Sequence, residues 1–332
     1  MSVTLSDDEI WKSVIQYGKN MSTYKMALGD LLINYAKKNR EQVTLDELTN
    51  DFFNSYKIRM DNGQRQNKTR GKTTYVEQEV LSVQANGTSE SKALENIKQK
   101  SLKDMVLKRF NTIQGKKIPD PFYTFDERNL YLNDNLLNVF SIKENYNLTE
   151  QVLSRWSMLE HAFSEPEFAD SLTLDEKLEH FRNKNTRTDI TKFRDVLKWY
   201  QDDTCFYCGK KIHEKSEVDH VIPWKVVQED KVWNLVLAHE LCNQTKSDQM
   251  PKKKFIERLI ARNENVMHSD LPLKEHLKLV AGDTPKKRQE QVEQAYQKGL
   301  KFNLGTYDPT LEDGFSNEFL YEKLIRWYDH LQ

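Results

Sequence analysis

The feature that most constrains this chain is the pair Cys205-x-x-Cys208. Two thiolates at that spacing grip one tetrahedral metal, and a closed site needs two more ligands. Only one further cysteine exists, Cys242, with His239 three residues before it. Residues 209–238 separate the two halves, more than the roughly 15–20 residues of a generic zinc module. A structured insertion is expected there.

The inserted residues run Glu217-Val-Asp219-His220-Val-Ile-Pro223, then the loop Trp224–Asn234, then Leu-Val-Leu. Val218, Val221 and Ile222, and again Leu235, Val236 and Leu237, favour strands. A short helix is expected to start at Cys242-Asn243. The order is therefore two strands and a helix, with ligand-type residues on both.

This order resembles the HNH endonucleases, the ββα-metal superfamily, in the form with a zinc-bound Cys-x-x-Cys frame. Asp-His-x-x-Pro, an Asn before a short apolar strand, and Cys-Asn-x-x-Lys all occur in the family's sequence. The resemblance covers roughly residues 200–251. It implies that Asp219 and Asn243 hold a catalytic Mg²⁺ or Mn²⁺, and that His220 is the general base. It implies that Asn234 holds the loop and orients His220, and that Lys246 meets a phosphate. Products with 5′-phosphate and 3′-hydroxyl ends are expected.

An imidazole with an ordinary pKa near ~6.5 suits proton abstraction at neutral pH. A divalent cation held by carboxylate and amide oxygens relieves charge on the leaving oxygen. Neighbours on a regular strand face opposite sides, so the strand is expected to end or bulge at Asp219-His220, with Pro223 as the exit.

His239 takes the place where the family usually has cysteine. A structural zinc on Cys205, Cys208, His239 and Cys242 is the expected arrangement. The alternative makes His239 a ligand of the catalytic metal, because it lies between Asn234 and Asn243; the sequence leaves both open.

The chain has 332 residues, 30% of them charged, with a net charge of −1. A uniformly basic surface is excluded, so contact with nucleic acid must come from local patches. One such patch is the loop 57–74, with Arg59, Arg65, Lys68, Arg70 and Lys72. Another is the start of the helix after the motif, with Lys252 and Lys253, followed on the same helix by Arg258 and Arg262. Each patch reads equally as solvated surface.

Upstream, Ser6 and Thr44 are expected to cap helices. Thr149 is expected to cap a helix with a buried stripe of Val152, Trp156, Leu159 and Phe163. The segment 118–125 reads as a turn, and 164–188 as a further charged helix. The C-terminal helix carries Phe315, Phe319, Leu324 and Trp327; it docks on the core or makes a homodimer.

The fold class expected is α+β and mostly helical. Residues 1–165 form a helical recognition domain, 166–194 a linker or connecting helix, and 195–332 the ββα-metal (HNH) nuclease unit with flanking helices. No apolar run is long enough to span a bilayer, so no membrane contact is expected. Three cysteines cannot close a disulfide framework, and a cytoplasmic location follows as the expectation.

The function expected is metal-dependent hydrolysis of nucleic acid, with double-stranded DNA as substrate and RNA left open. A restriction or anti-phage defence role fits by association with the family. Two alternatives stand beside it: an inert zinc-stapled binding module, and a nuclease switched on by an activating partner or ligand.

Overall fold

Capping chemistry starts the first helices where the sequence places them. Ser6 and Glu9 form a capping box ahead of the helix Asp7–Tyr17, and the Thr44 hydroxyl accepts from Glu47 N at the head of Leu45–Asp61. Between them runs the helix Tyr24–Lys37. The computed structural model describes residues 4–69, 71–141, 147–164, 194–213, 215–270, 272–309 and 318–330. Arg70, Phe315 and all of the expected connecting segment 166–194 except Arg194 lie outside the described residues, as does nearly all of the charged helix expected over 164–188.

The chain divides into two compact units, Thr4–His180 and one built on Phe181–Gln332. In the first, Trp11 is 1% exposed and meets Phe110, Phe122 and Phe140 at centroid distances of 5.6, 5.2 and 5.1 Å. Such tilted and edge-on aromatic pairs add about 0.5–1.5 kcal/mol each beyond area burial. Val152, Trp156, Leu159 and Phe163 are buried as the helical period requires.

Three local expectations change. The helix containing that stripe spans Asn147–Ser164, so Thr149 lies inside it and accepts a hydrogen bond from Lys37 Nζ at 2.6 Å. Thr149 is not the cap. The turn at 118–125 leads into a strand, Tyr123–Phe125, which pairs with Asn129–Leu132, itself paired with Gln42–Thr44. Strands of three and four residues are too short to show a period-two pattern. The first unit is thus mixed, with a small antiparallel sheet among its helices.

Arg59, near the end of the Leu45–Asp61 helix, and Arg65, in the loop after it, both turn inward. Arg59 Nη1 pairs with the buried Glu160 at 2.6 Å, and its guanidinium stacks 3.8 Å from the Trp156 ring. Arg65 donates to Phe163 O at 2.5 Å and to Thr69 O at 3.0 Å. Arg59 thus ties its helix, and Arg65 the loop, to the Asn147–Ser164 helix.

The second unit centres on a two-stranded antiparallel ribbon, Ser216–His220 with Leu235–His239. The helix Glu240–Lys246 follows it directly, and the helices Arg194–Gln201 and Lys253–His268 belong to the same unit. A lone ribbon leaves strand edges bare. Here the Gln201 side-chain amide completes one edge, donating to Leu237 O at 3.0 Å and accepting from Leu237 N at 2.8 Å. The C-terminal helix spans Leu320–His330, with Phe319, Leu324 and Trp327 buried.

Candidate functional site

The ribbon's register fixes two separate centres. Ser216 opposes His239 at one end, and His220 opposes Leu235 at the other.

At the first end, Cys205 and Cys208 sit on a tight turn. Gly209 N donates to Cys205 O at 3.0 Å and Cys205 N to Lys210 O at 2.8 Å. The turn needs φ of 79° at position 209, which glycine adopts without strain. One donor atom from each of Cys205, Cys208, His239 and Cys242 falls within 4.8 Å of the others. His239 Nδ1 lies 3.3 Å from Cys208 Sγ and 4.0 Å from Cys242 Sγ, while Nε2 sits 3.1 Å from Lys211 O. A carbonyl can only accept, so Nε2 carries the proton and Nδ1 turns a lone pair to the thiols.

That donor set is compatible with zinc. Ligands of a tetrahedral zinc with Zn–S near ~2.3 Å and Zn–N near ~2.0 Å lie within about 4 Å of one another. A carbonyl on the far ring nitrogen is the usual orienting contact for a metal-bound histidine. Burial, followed by the neighbouring thiols, pushes the Cys242 thiol well above its ordinary range; burial likewise raises Cys208. A divalent cation reverses that balance, because it favours the thiolates that burial disfavours.

At the other end, the regular strand stops at His220 rather than bulging, and the chain leaves through Pro223. Asp219 Oδ2 accepts from the buried Tyr207 hydroxyl and lies 3.1 Å from Lys246 Nζ. Burial, then the charge of Asp219, holds the Tyr207 phenol far above its usual pKa, so it remains a donor. Lys246 is 1% exposed and also donates to His220 O at 2.7 Å. Its ammonium bridges side chain and backbone inside the unit.

Asn243 Nδ2 donates to Glu217 Oε2 at 2.7 Å, which leaves its amide oxygen for a cation. Glu217 and Asp219 are two apart on one strand and so share a face. Asp219 and Asn243 carry oxygen donors of the kind that a hard divalent ion takes.

His220 Nε2 is 3.0 Å from Asp230 Oδ1, a residue of the loop between the strands. Burial lowers the His220 pKa below its ordinary value, against the opposing charges of Asp219 and Asp230. The neutral ring, able to accept a proton, is therefore favoured near pH 7.

Asn234 is fully buried and clamps the exit of the first strand. Its Oδ1 accepts from Ile222 N at 2.9 Å, its Nδ2 donates to Ile222 O at 2.7 Å, and its own carbonyl accepts from Val221 N at 2.9 Å. The turn before it hangs from the Lys253–His268 helix. Arg262 Nη2 donates to Val232 O and Trp233 O at 3.0 and 3.1 Å, and Asn263 Nδ2 to Trp233 O at 3.0 Å.

Arg262, read from sequence as part of a basic face, is instead fully buried, and burial pushes its guanidinium down to about 9. Arg258 is buried too, over the Phe206 and Phe319 rings. Of the nucleic-acid candidates, Lys72 and Lys253 are exposed, Lys68 is half-buried, and Lys252 is ion-paired with Asp308. Arg65 is spent on backbone carbonyls.

Sequence reasoning missed Tyr207, Asp230 and Gln201, and gave Glu217 no role. Each lies within or beside the motif, but nothing in its spacing marks it.

Residues 205–252 match the family model for HNH endonucleases. No curated protein and no solved structure matched the chain. An HNH endonuclease domain points to a nuclease acting on nucleic acid with divalent metal ions. No described helix is long and apolar enough to cross a membrane.

Proposed function

We propose that this chain is a metal-dependent endonuclease that hydrolyses phosphodiester bonds of double-stranded DNA through a ββα-metal site. The observation that carries this reading is the junction at Lys246. One buried ammonium holds the Asp219 carboxylate at 3.1 Å and the His220 carbonyl at 2.7 Å, and its helix also carries Asn243. The Asp219 carboxylate, the backbone that carries the His220 ring and the helix that carries Asn243 are thereby tied together.

In this reading Asp219 and Asn243 hold Mg²⁺ or Mn²⁺, which when bound supplies charge relief at the leaving oxygen. His220 accepts the proton of the attacking water, and Asn234 fixes the backbone that carries His220. The Cys₃His cluster holds structural zinc. The N-terminal region, residues 1–165, recognises the nucleic acid, and residues 195–332 cut it.

The test is cleavage of supercoiled plasmid, with single-stranded DNA and RNA in parallel, in Mg²⁺ or Mn²⁺ against EDTA. Metal-dependent conversion to nicked or linear DNA by the wild type, absent in His220→Ala, is the expected result. An inactive wild type on all three substrates, or full turnover by His220→Ala, would sink the proposal.

A further inference from the structure

We infer that Asp230 is the positioning residue for His220, locking its ring so that Nδ1, and not Nε2, faces the reacting water. The inference rests on the nuclease reading above and adds a residue that neither the family match nor the sequence motif assigns.

The argument starts from the pair's geometry. His220 Nε2 and Asp230 Oδ1 are 3.0 Å apart, and the two side chains are only 12% and 13% exposed. An ionised carboxylate has no proton to give, so Nε2–H donates and Nδ1 keeps the lone pair. The same bond fixes the ring's rotation. When Nδ1 takes a proton, the imidazolium forms against a carboxylate already in contact, which stabilises the charge as it develops. That is the job the carboxylate performs in a Ser-His-Asp triad.

Asp230 would be a poor anchor on a loose loop, but this loop is pinned on both sides of it. Trp233 Nε1 donates to Glu229 Oε1 at 2.9 Å, so the residue before Asp230 is tied to the residue three after it. Beyond it, Arg262 and Asn263 hold the Val232 and Trp233 carbonyls, and Asn234 clamps Ile222. The loop enters through Gln228 at φ 56°, a left-handed turn that redirects the chain just before Glu229 and Asp230. Strand exit, loop and supporting helix thus converge on one imidazole.

Three variants and one spectrum test this. Asp230→Ala and the isosteric Asp230→Asn should lower kcat by about 10–100-fold with KM within about twofold of wild type. Asp230→Glu, which keeps the charge, should recover part of that loss. In a His220→Ala background, Asp230→Ala should cost no more than about twofold, because its partner is already gone. A purely structural role would cost the same in both backgrounds.

Independently of turnover, ¹⁵N-resolved imidazole signals of the metal-free protein should report the Nε2–H tautomer for His220. In Asp230→Asn that preference should be lost while the melting temperature holds. Wild-type kcat in Asp230→Ala, equal losses in both backgrounds, or an Nδ1–H ring in the wild type would each overturn the inference. A wild type that cuts nothing would sink the nuclease reading, and the tautomer would then decide the His220–Asp230 geometry by itself.

Discussion

At one end of the ribbon Ser216 opposes His239 among three thiols; four residue pairs away, roughly 13 Å on, His220 opposes Leu235 beside a hydrogen-bonded loop. The first end gathers three thiols and an imidazole around one point. The second offers oxygen donors, an imidazole below its ordinary pKa, and a carboxylate behind it. The difference teaches a division of labour. A ribbon of five residue pairs buries too little to hold itself; a metal on the four gathered donors would add stability at one end, while hydrogen bonds set geometry at the other.

The sharpest way to break this comparison is to empty the thiol end. His239→Ala should lose bound zinc and lower the melting temperature by more than about 10 °C, since zinc coordination contributes many kcal/mol to folding in small metal-stapled units. His239→Cys should retain one zinc per chain and the fold. Metal content and calorimetry read both. Full zinc and stability in His239→Ala, with loss of Mg²⁺-dependent cutting, would instead assign His239 to the catalytic cation.

At the opposite end the effect should fall on rate alone. His220→Ala is expected to reduce kcat by about 10²–10⁴-fold with unchanged zinc content and melting temperature. A matching drop in stability would erase the proposed separation of the two ends.

Asn234 lies between these extremes, because its clamp is both structural and positional. Asn234→Ala removes two buried hydrogen bonds to Ile222 and should cost about 2–4 kcal/mol in urea denaturation, together with part of kcat. Asn234→Asp can still accept from Ile222 N but cannot donate to Ile222 O. It should fall between alanine and wild type, and an aspartate no better than alanine would mean the two bonds are not separable.

The smallest effects belong to the surface. Lys253→Glu should weaken DNA binding modestly and flatten its salt dependence by about one ion. Lys252→Glu should do less, because Lys252 already pairs with Asp308. Equal effects in titrations across salt concentrations would remove that distinction.

Much of the thiol end was legible in the sequence, because ligand chemistry restricts which residue types can occur and at what spacing. Cys205, Cys208, His239 and Cys242 could be named together, and the structure gathers them within 4.8 Å. The buried stripes were legible for another reason: helical period and burial are one fact seen twice, as Val152 and Trp156 illustrate.

What escaped are contacts between polar groups far apart in the chain. Arg59 and Arg65 look like a basic patch until Glu160 and the Phe163 carbonyl, about a hundred residues on, claim them. Lys246 and Arg262 read as surface cations because nothing local shows that backbone carbonyls will receive them. Asp230 is the same case within the motif itself. An acid in a loop has no period, and only the fold brings it to His220.

The pairing of Ser216 with His239 and of His220 with Leu235 also limits how this segment can change length. Side chains alternate faces along each strand, so inserting or deleting one residue inside either strand would turn every later side chain to the other side. Asp219 would swing away from Lys246, or His239 from the thiols. Changes in length could be absorbed only outside the strands, and even there Asp230 and Asn234 tie residues 229–234 to fixed points. The short helix Trp224–Val227 is held as well, because Val226 is buried and its carbonyl accepts from Lys298 Nζ at 2.7 Å.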